Sequence, residues 1–346
     1  MEQQRSNGRR VVLKLVAAGL AGTVVPRLSR AQSSMTARVA WQSSAQTATY
    51  LYAHTTGLLK AQGLEVEHLK FSAGPPIFAG LRGGSIDIAF FAETPAAIAL
   101  AQGIPVKVIS FAADYGGAMG LVVTKESGIR SVADLRGKRI AVVKGSAAHF
   151  TLGGILAREK MSFDDVRLVA IDVTNLIPAF KNRDVDAALY WEPWMSRLVE
   201  AGGTLLLTNW QAHEPSATMW MARTAWLEQN QAAARAFIRA LDGAVEPIRN
   251  DPGKVAATIS DELGLDVPSL TAVLTRGARF PSVRETLDPG YVYSIAPQAT
   301  SAGRGLAAVL KDVGTFMHDN GVVDRMPDVT KGFDVRAATE VAGLKG

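Results

Sequence analysis

The chain has no cysteine, which excludes disulfides, thiolate metal sites and cysteine nucleophiles. It also lacks a Walker loop, a G-x-G-x-x-G turn, an H-E-x-x-H pair and a G-x-S-x-G elbow. Nucleotide phosphates, dinucleotides, zinc hydrolysis and serine hydrolysis therefore have no recognisable foothold. The five histidines, His54, His68, His149, His213 and His318, are scattered without a compact metal-ligand spacing. Ser146 and His149 are near neighbours, but a hydrolytic triad needs its nucleophile within hydrogen-bond reach of the base, and no acid stands in an evident third position. No catalytic role, metal or cofactor is expected.

Long apolar runs are missing too. The longest uncharged stretch near the start, Leu15–Val25, falls short of the roughly 20 residues that span a bilayer as a helix. It follows Arg9, Arg10 and Lys14 and precedes a small-residue site at Ser29-Arg30-Ala31. "RRVVLK" resembles a twin-arginine export signal with Val12 in place of the usual phenylalanine, and residues 1–31 are expected to be a cleaved export peptide. An uncleaved anchor is the alternative. This segment carries six basic residues and one acidic residue, the whole of the formal charge of +5. The remaining chain is neutral overall and has no basic cluster, so a nucleic-acid partner is not expected.

What is present is a repeated pattern of short apolar runs, polar or glycine-rich corners, and amphipathic helices. Strands are expected at Arg38–Gln42, Leu64–Phe71, Ile86–Phe91 and Val106–Phe111, with helices at Thr47–Lys60, Pro76–Arg82 and Pro95–Gln102. After a crossing, strands follow at Leu121–Thr124, Arg139–Val143, Val166–Ile171, Ala187–Trp191 and Thr204–Thr208. Thr218–Met221 is expected to rejoin the first sheet. Apolar strands linked by crossover helices predict open, mostly parallel sheets in an α/β fold. The implied organisation is a first lobe of residues 36–120 and 216–346, including a helical C-terminal part, and a second lobe of residues 121–215. In such sheets ligands sit beyond the carboxyl ends of the strands.

Four strand-to-helix corners therefore carry the candidates. "FSAGPPIF" places Gly74 and Pro76 where a helix opens and free amides can take an oxyanion; an ordinary capped turn explains the same residues. In "FFAETPAAIAL", Thr94 is the expected N-cap before Pro95, and Glu93 either holds an ammonium or is tied up in the cap. In "KGSAAHF", Gly145 and Ser146 open a helix, with His149 one turn in as a hydrogen-bond donor or a plain wall residue. In "DVDAALYWEPWMSRL", Trp191 and Trp194 flank Glu192, suiting an apolar slot with one polar fixing point.

"GSIDIAFFAETPAAIALAQG", "SVADLRGKRIAVVKGSAAHF" and "AFKNRDVDAALYWEPW" resemble the periplasmic solute-binding proteins of aliphatic-sulfonate, nitrate and taurine ABC importers, across about residues 36–215. "KGSAAH" resembles the alkanesulfonate branch, and the Trp191 region also resembles taurine binders. The resemblance implies a monomeric, two-lobed, type II "Venus-flytrap" protein. It would close over a small organic anion and deliver it to a membrane permease. It places the anion against Gly74–Pro76, Thr94–Pro95 and Gly145–Ser146, with His149, Trp191 and Glu192 nearby. Ser43, Ser44, Gln46 and Tyr50 form the opposite wall, and Tyr115 meets the organic tail or sits at the hinge. A pyrimidine-synthase-like enzyme of the same fold group is the different-class alternative, and it would call for a histidine cluster.

Overall fold

Each lobe is built around a five-stranded sheet. A computed structural model describes residues 35–71 and 77–344; the expected export peptide and the Gly74–Pro76 corner lie outside them. In chain order the strands are β1 (Met35–Gln42), β2 (Leu64–Phe71), β3 (Ile88–Ala92), β4 (Val106–Asp114), β5 (Met119–Val123), β6 (Arg139–Val142), β7 (Arg167–Ala170), β8 (Ala187–Trp191), β9 (Thr204–Thr208) and β10 (Ala217–Arg223). The first sheet runs β2-β1-β3-β10-β4 and the second β7-β6-β8-β5-β9. β3 and β8 are buried almost throughout, as central strands covered on both faces must be.

The sheets are mixed, for a topological reason. β1 pairs in parallel with β2 and β3, and β6 with β7 and β8, whereas β10 and β5 are antiparallel to both their neighbours. These two reversed strands follow the two passages between sheets. β4 ends at Asp114 and β9 at Thr208, on the carboxyl edge of their sheets. The chain therefore enters the other sheet from that same edge and must run backwards through it. The start of β5, Met119, accordingly lies beside the end of β8, Trp191, and the start of β10, Ala217, beside Asp114.

The crossings pack against each other. Tyr115 N–H donates to the Ser216 carbonyl (3.2 Å) and Trp210 N–H to the Gly116 carbonyl (3.1 Å). Trp210 Nε1–H donates to Asp114 Oδ1 at 2.9 Å, and the Arg279 guanidinium lies over the indole, 4.7 Å from its centroid. Gly116 allows this closeness, since a Cβ there would stand 2.1 Å from the Trp210 ring. The Leu306–Asp319 helix packs on both the Glu93–Ala101 and Ala147–Arg158 helices, one from each lobe. The strongly amphipathic Gln231–Asp242 helix covers the first sheet and the Arg336–Val341 helix.

The same staple ties the amino ends of both sheets. Asp87 accepts from Arg38 N, Nε and Nη2 at 3.1, 2.8 and 2.7 Å, and Asp186 accepts from Arg139 N, Nε and Nη2 at 2.8, 3.2 and 2.9 Å. Each carboxylate sits just before the strand that pairs with the strand bearing the arginine, fixing the parallel register. Planar, bidentate geometry makes arginine the suitable partner.

Candidate functional site

Beyond the carboxyl ends of β1, β3 and β8 lies a narrow cleft of about 30 Å³, well below the roughly 300–1,000 Å³ of small-molecule sites. Its described walls are Gln42, Ser44, Gln46, Phe90, Ala92, Pro95, Tyr115 and Thr218 from the first lobe and its crossing, and Ser146, Ala147 and Trp191 from the second. None of these is charged. Ser44, Gln46, Tyr115, Ser146 and Trp191 were expected from sequence. Gln42, Phe90, Ala92, Ala147 and Thr218 were not, although Gln42 and Ala92 are the last residues of their strands, where the edge rule points.

Two helix starts converge on this space. The Ala147–Arg158 helix has Ser146 at its N-cap position, in extended conformation, but the serine does not cap. Its hydroxyl donates to the Val143 carbonyl at 2.7 Å, so it presents lone pairs rather than a proton. The first amides, Ala147 and Ala148, have no intrahelical acceptor. Gly145 sits at φ +76°, a conformation that glycine adopts without strain, and this turns the chain from strand to helix. The Glu93–Ala101 helix begins earlier than expected. Ala92 is its N-cap and Thr94 already lies in the first turn, so Thr94 is not the cap. Pro95 is accommodated there because first-turn amides have no helical partner. The buried Thr94 hydroxyl has no hydrogen-bond partner.

Several other candidates turn away from the cleft. Tyr50 is wholly buried beneath the first sheet, its hydroxyl 2.8 Å from His68 Nδ1 and its ring 5.1 Å from Trp220. It lies on the core-facing side of the Ala48–Thr55 helix, which places it in the core rather than in a binding wall. Ser43 continues the β1 ladder through its N–H to the Phe71 carbonyl and is not among the wall residues. His149 accepts the Gly145 N–H at Nδ1 (3.4 Å) and rests against Phe163, 4.9 Å between centroids. Burial and nearby Lys144 hold it below the ordinary histidine range, so it is a neutral acceptor folded under the corner. Trp194 lies outside the wall with the Arg197 guanidinium over its ring, leaving Trp191 as the indole of the slot.

The two carboxylates are both buried and differ in attachment. Glu192 accepts from Ser196 N–H (3.1 Å) and Ser196 Oγ–H (2.8 Å), closing the first turn of its own Trp194–Glu200 helix. Burial raises its pKa against the pull of those bonds. Glu93 reaches across the molecule: Oε2 accepts Ala217 N–H at 3.1 Å, and the Tyr115 hydroxyl stands 3.3 and 3.2 Å from Oε1 and Oε2. Complete burial pushes its carboxyl up to about 8. Neither is a wall residue of the cleft.

His54 and His68, distant in sequence, stack 4.3 Å apart beside Tyr50. They are a pair without further ligands. Among the described residues no group of three or more histidine or acidic side chains is placed to hold a metal.

Two sheets linked by two crossings, with a small uncharged cleft at their facing carboxyl edges, define a bilobed solute-binding architecture of type II. The sequence matches the family described as NMT1/THI5 like over residues 44–255. The chain belongs to that family, as the extracytoplasmic solute-binding component of an ABC importer. It is 30% identical over 294 residues to the taurine-binding periplasmic protein of Escherichia coli (strain K12), covering 82% of this chain and 87% of that one. With a putative aliphatic sulfonates-binding protein of Bacillus subtilis (strain 168) it shares 31% identity over 216 residues, 62% of this chain and 64% of the relative. In fold it is similar to the alkanesulfonate-binding protein of Xanthomonas axonopodis pv. citri bound to MOPS, with TM-score 0.73, 21% identity, and coverage of 87% and 98%. The periplasmic aliphatic sulphonate binding protein of Escherichia coli gives TM-score 0.72 at 21% identity, with coverage of 86% and 92%.

Proposed function

We propose that the cleft captures a small organic sulfonate carrying an amine at its other end, as taurine does, and presents it to the permease. The observation that carries this reading is the division of polar groups around an uncharged cleft. The Ala147 amide, on the cleft wall at the start of its helix, is a donor suited to a sulfonate, which helix starts hold without an opposing cation. Part of the remaining polar wall offers acceptors. Ser146 Oγ has given its proton to Val143, Gln42 Nε2 is used on the Phe90 carbonyl at 3.0 Å, and Gln46 Oε1 is buried without a partner. An unmet buried acceptor costs about 1–3 kcal/mol, and an ammonium would satisfy it. Trp191 supplies an aromatic part of the wall. The relative named for taurine, at 30% identity, supports the same reading.

The protein acts as a monomer, without nucleic acid, in the periplasm. Its twin arginines, Arg9 and Arg10, suit export by the twin-arginine route with cleavage near Ala31. The lobes are divided at about residues 120 and 216, a boundary supported by the two sheet memberships. Calorimetric titration of unfolded and refolded protein, free of carried ligand, tests the ligand assignment. Taurine is expected to bind at least tenfold tighter than ethanesulfonate, and both tighter than β-alanine. Ethanesulfonate binding as well as taurine would remove the amine from the reading; no sulfonate binding at all would remove the sulfonate.

A further inference from the structure

Glu93 holds the two crossings together without entering the cleft. Through Oε2 it takes the Ala217 amide, where the chain returns from the second lobe, and at its other side it meets Tyr115, where the chain leaves the first. Tyr115 is also a wall residue of the cleft, so the side chain that meets the buried carboxyl borders the space for the solute. A phenol has one proton to give. When Glu93 is ionised, Tyr115 gives that proton to the carboxylate and offers only lone pairs to the cleft. When Glu93 is protonated, the carboxyl O–H donates to the Tyr115 oxygen, and the phenol O–H is released toward the solute.

We propose that the proton on Glu93 decides whether Tyr115 donates to or accepts from the bound solute, so that Glu93 tunes anion capture through Tyr115 without touching the ligand. Glu93 is thus a positioning residue. Oε2 is engaged by Ala217, which leaves Oε1 as the atom that carries the proton. The burial that pushes this carboxyl up to about 8 keeps it protonated at neutral pH, in the state that suits a sulfonate. Ionisation places a second negative charge behind the anion and withdraws a donor at the same time. Tyr115 itself does not compete for the charge, because burial and Glu93 raise it well above the ordinary phenol range.

The titratable and charged groups around this pair have other engagements. Asp114 is raised by burial and held by Trp210 Nε1–H and the Gly116 N–H, with Arg279 nearby. Tyr293, pushed up to about 12 by burial, accepts the Ser216 N–H. On the second lobe's corner, His149 is neutral, Glu192 is closed by Ser196, and Lys144 is exposed. Glu93 alone among these groups is bonded to Tyr115.

The inference rests on the sulfonate reading, and ethanesulfonate is the probe because it has no titratable group of its own in this range. In the wild-type protein its affinity should fall about tenfold between pH 7 and 9, as the fraction of protonated Glu93 falls. E93Q mimics the protonated acid, donating from its amide to Tyr115 while its oxygen keeps the Ala217 contact. Its affinity should match the wild type at pH 7 and stay flat to pH 9. Y115F should bind weakly and without pH dependence. Equal slopes in wild type and E93Q, or a flat wild-type profile, would overturn the proposal.

A second readout needs no ligand. The carbon-13 resonance of the Tyr115 ring carbon bearing oxygen, assigned with Y115F, should shift between pH 7 and 9 in wild type and remain fixed in E93Q. A Tyr115 signal that ignores Glu93 would overturn the inference even if no sulfonate binds. Absence of ethanesulfonate binding with a responsive Tyr115 signal would instead count against the sulfonate reading alone.

Discussion

The two lobes repeat one design and then depart from it. β1, β2 and β3 in the first correspond to β6, β7 and β8 in the second, and each sheet has a reversed strand in its fourth place. Arg38–Asp87 has its counterpart in Arg139–Asp186. Six residues beyond each aspartate comes a buried glutamate, Glu93 in one lobe and Glu192 in the other. The residue just before it is Ala92 in the first lobe and Trp191 in the second, and both line the cleft. The glutamates diverge in reach: Glu192 closes its own helix through Ser196, whereas Glu93 bonds to both crossings. A repeated scaffold thus supplies two matching strand ends, and single side chains give one lobe the lid of the slot and the other the tie between crossings.

The strongest way to break the equivalence is at the staples. Asp87 is 5% exposed and also accepts from Arg223 at 2.9 Å, while Asp186 is 22% exposed and serves Arg139 alone among arginine side chains. Removing one partner of a buried pair is strongly destabilising, and exposed pairs contribute little. D87A should therefore lower unfolding stability by about 3 kcal/mol and D186A by about 1 kcal/mol. Urea titration followed by circular dichroism measures both; equal losses would mean that the second arginine adds nothing to the first lobe.

The cleft residues give the next effect. W191A should weaken ethanesulfonate by about 2 kcal/mol, roughly thirtyfold, through loss of aromatic cover. Inorganic sulfate, which has no tail, should be affected much less. A92W should exclude ethanesulfonate by filling the cleft that Ala92 lines. Calorimetry with both ions distinguishes these outcomes, and a loss shared equally by sulfate would argue against packing on the tail.

A smaller difference concerns acid. Burial first, then His54 and Lys70, depress His68 to about 4, and burial depresses His54 as well. In the unfolded chain histidine takes up its proton near 6.5. Between pH 6.5 and 4 the unfolded state therefore binds more protons, and stability falls as pH is lowered. The melting temperature should drop across that window, and H68F should lessen the drop. Because these rings are about half-buried, the change should be smaller than that of D87A. An unchanged slope in H68F would place acid sensitivity elsewhere.

The smallest expected effect is at Glu192. S196A removes one of its two bonds and should lower stability by about 1 kcal/mol or less, the scale of a helix-cap interaction. Sulfonate affinity should stay within about twofold. A large loss of affinity would show that Glu192 reaches the solute after all.

Much of this architecture was legible along the chain. Leu64–Phe71, Ala187–Trp191 and Thr204–Thr208 coincide with β2, β8 and β9, since their apolar runs are bounded by clear turn residues. The Pro252–Leu263 helix starts where Asp251 accepts from Lys254 N–H, a signal visible in "DPGK". The expected Thr47–Lys60 helix instead divides into Ala48–Thr55 and Leu58–Ala61 around Gly57. Of the sequence candidates, Ser44, Gln46, Tyr115, Ser146 and Trp191 border one cleft, as residues that follow or end strands do. Tyr50 and His149 lie apart from it, because helical spacing identifies neighbours on a helix but not which neighbour meets the cleft. The alanine at position 92 carries no chemical signal, and its place on the cleft wall is visible only in the fold.

By itself, the sequence determined the repeated strand-and-helix alternation, the polar corners and the absence of cysteine. All of these are set by residue type and spacing over a few turns. The tertiary structure decided which corner faces the solute, which hydroxyl has spent its proton, and which glutamate binds the crossings. Glu93 and Ala217 are 124 positions apart, and Asp114 and Trp210 are 96 apart. Burial and hydrogen-bond satisfaction depend on such distant partners, so no local pattern records them.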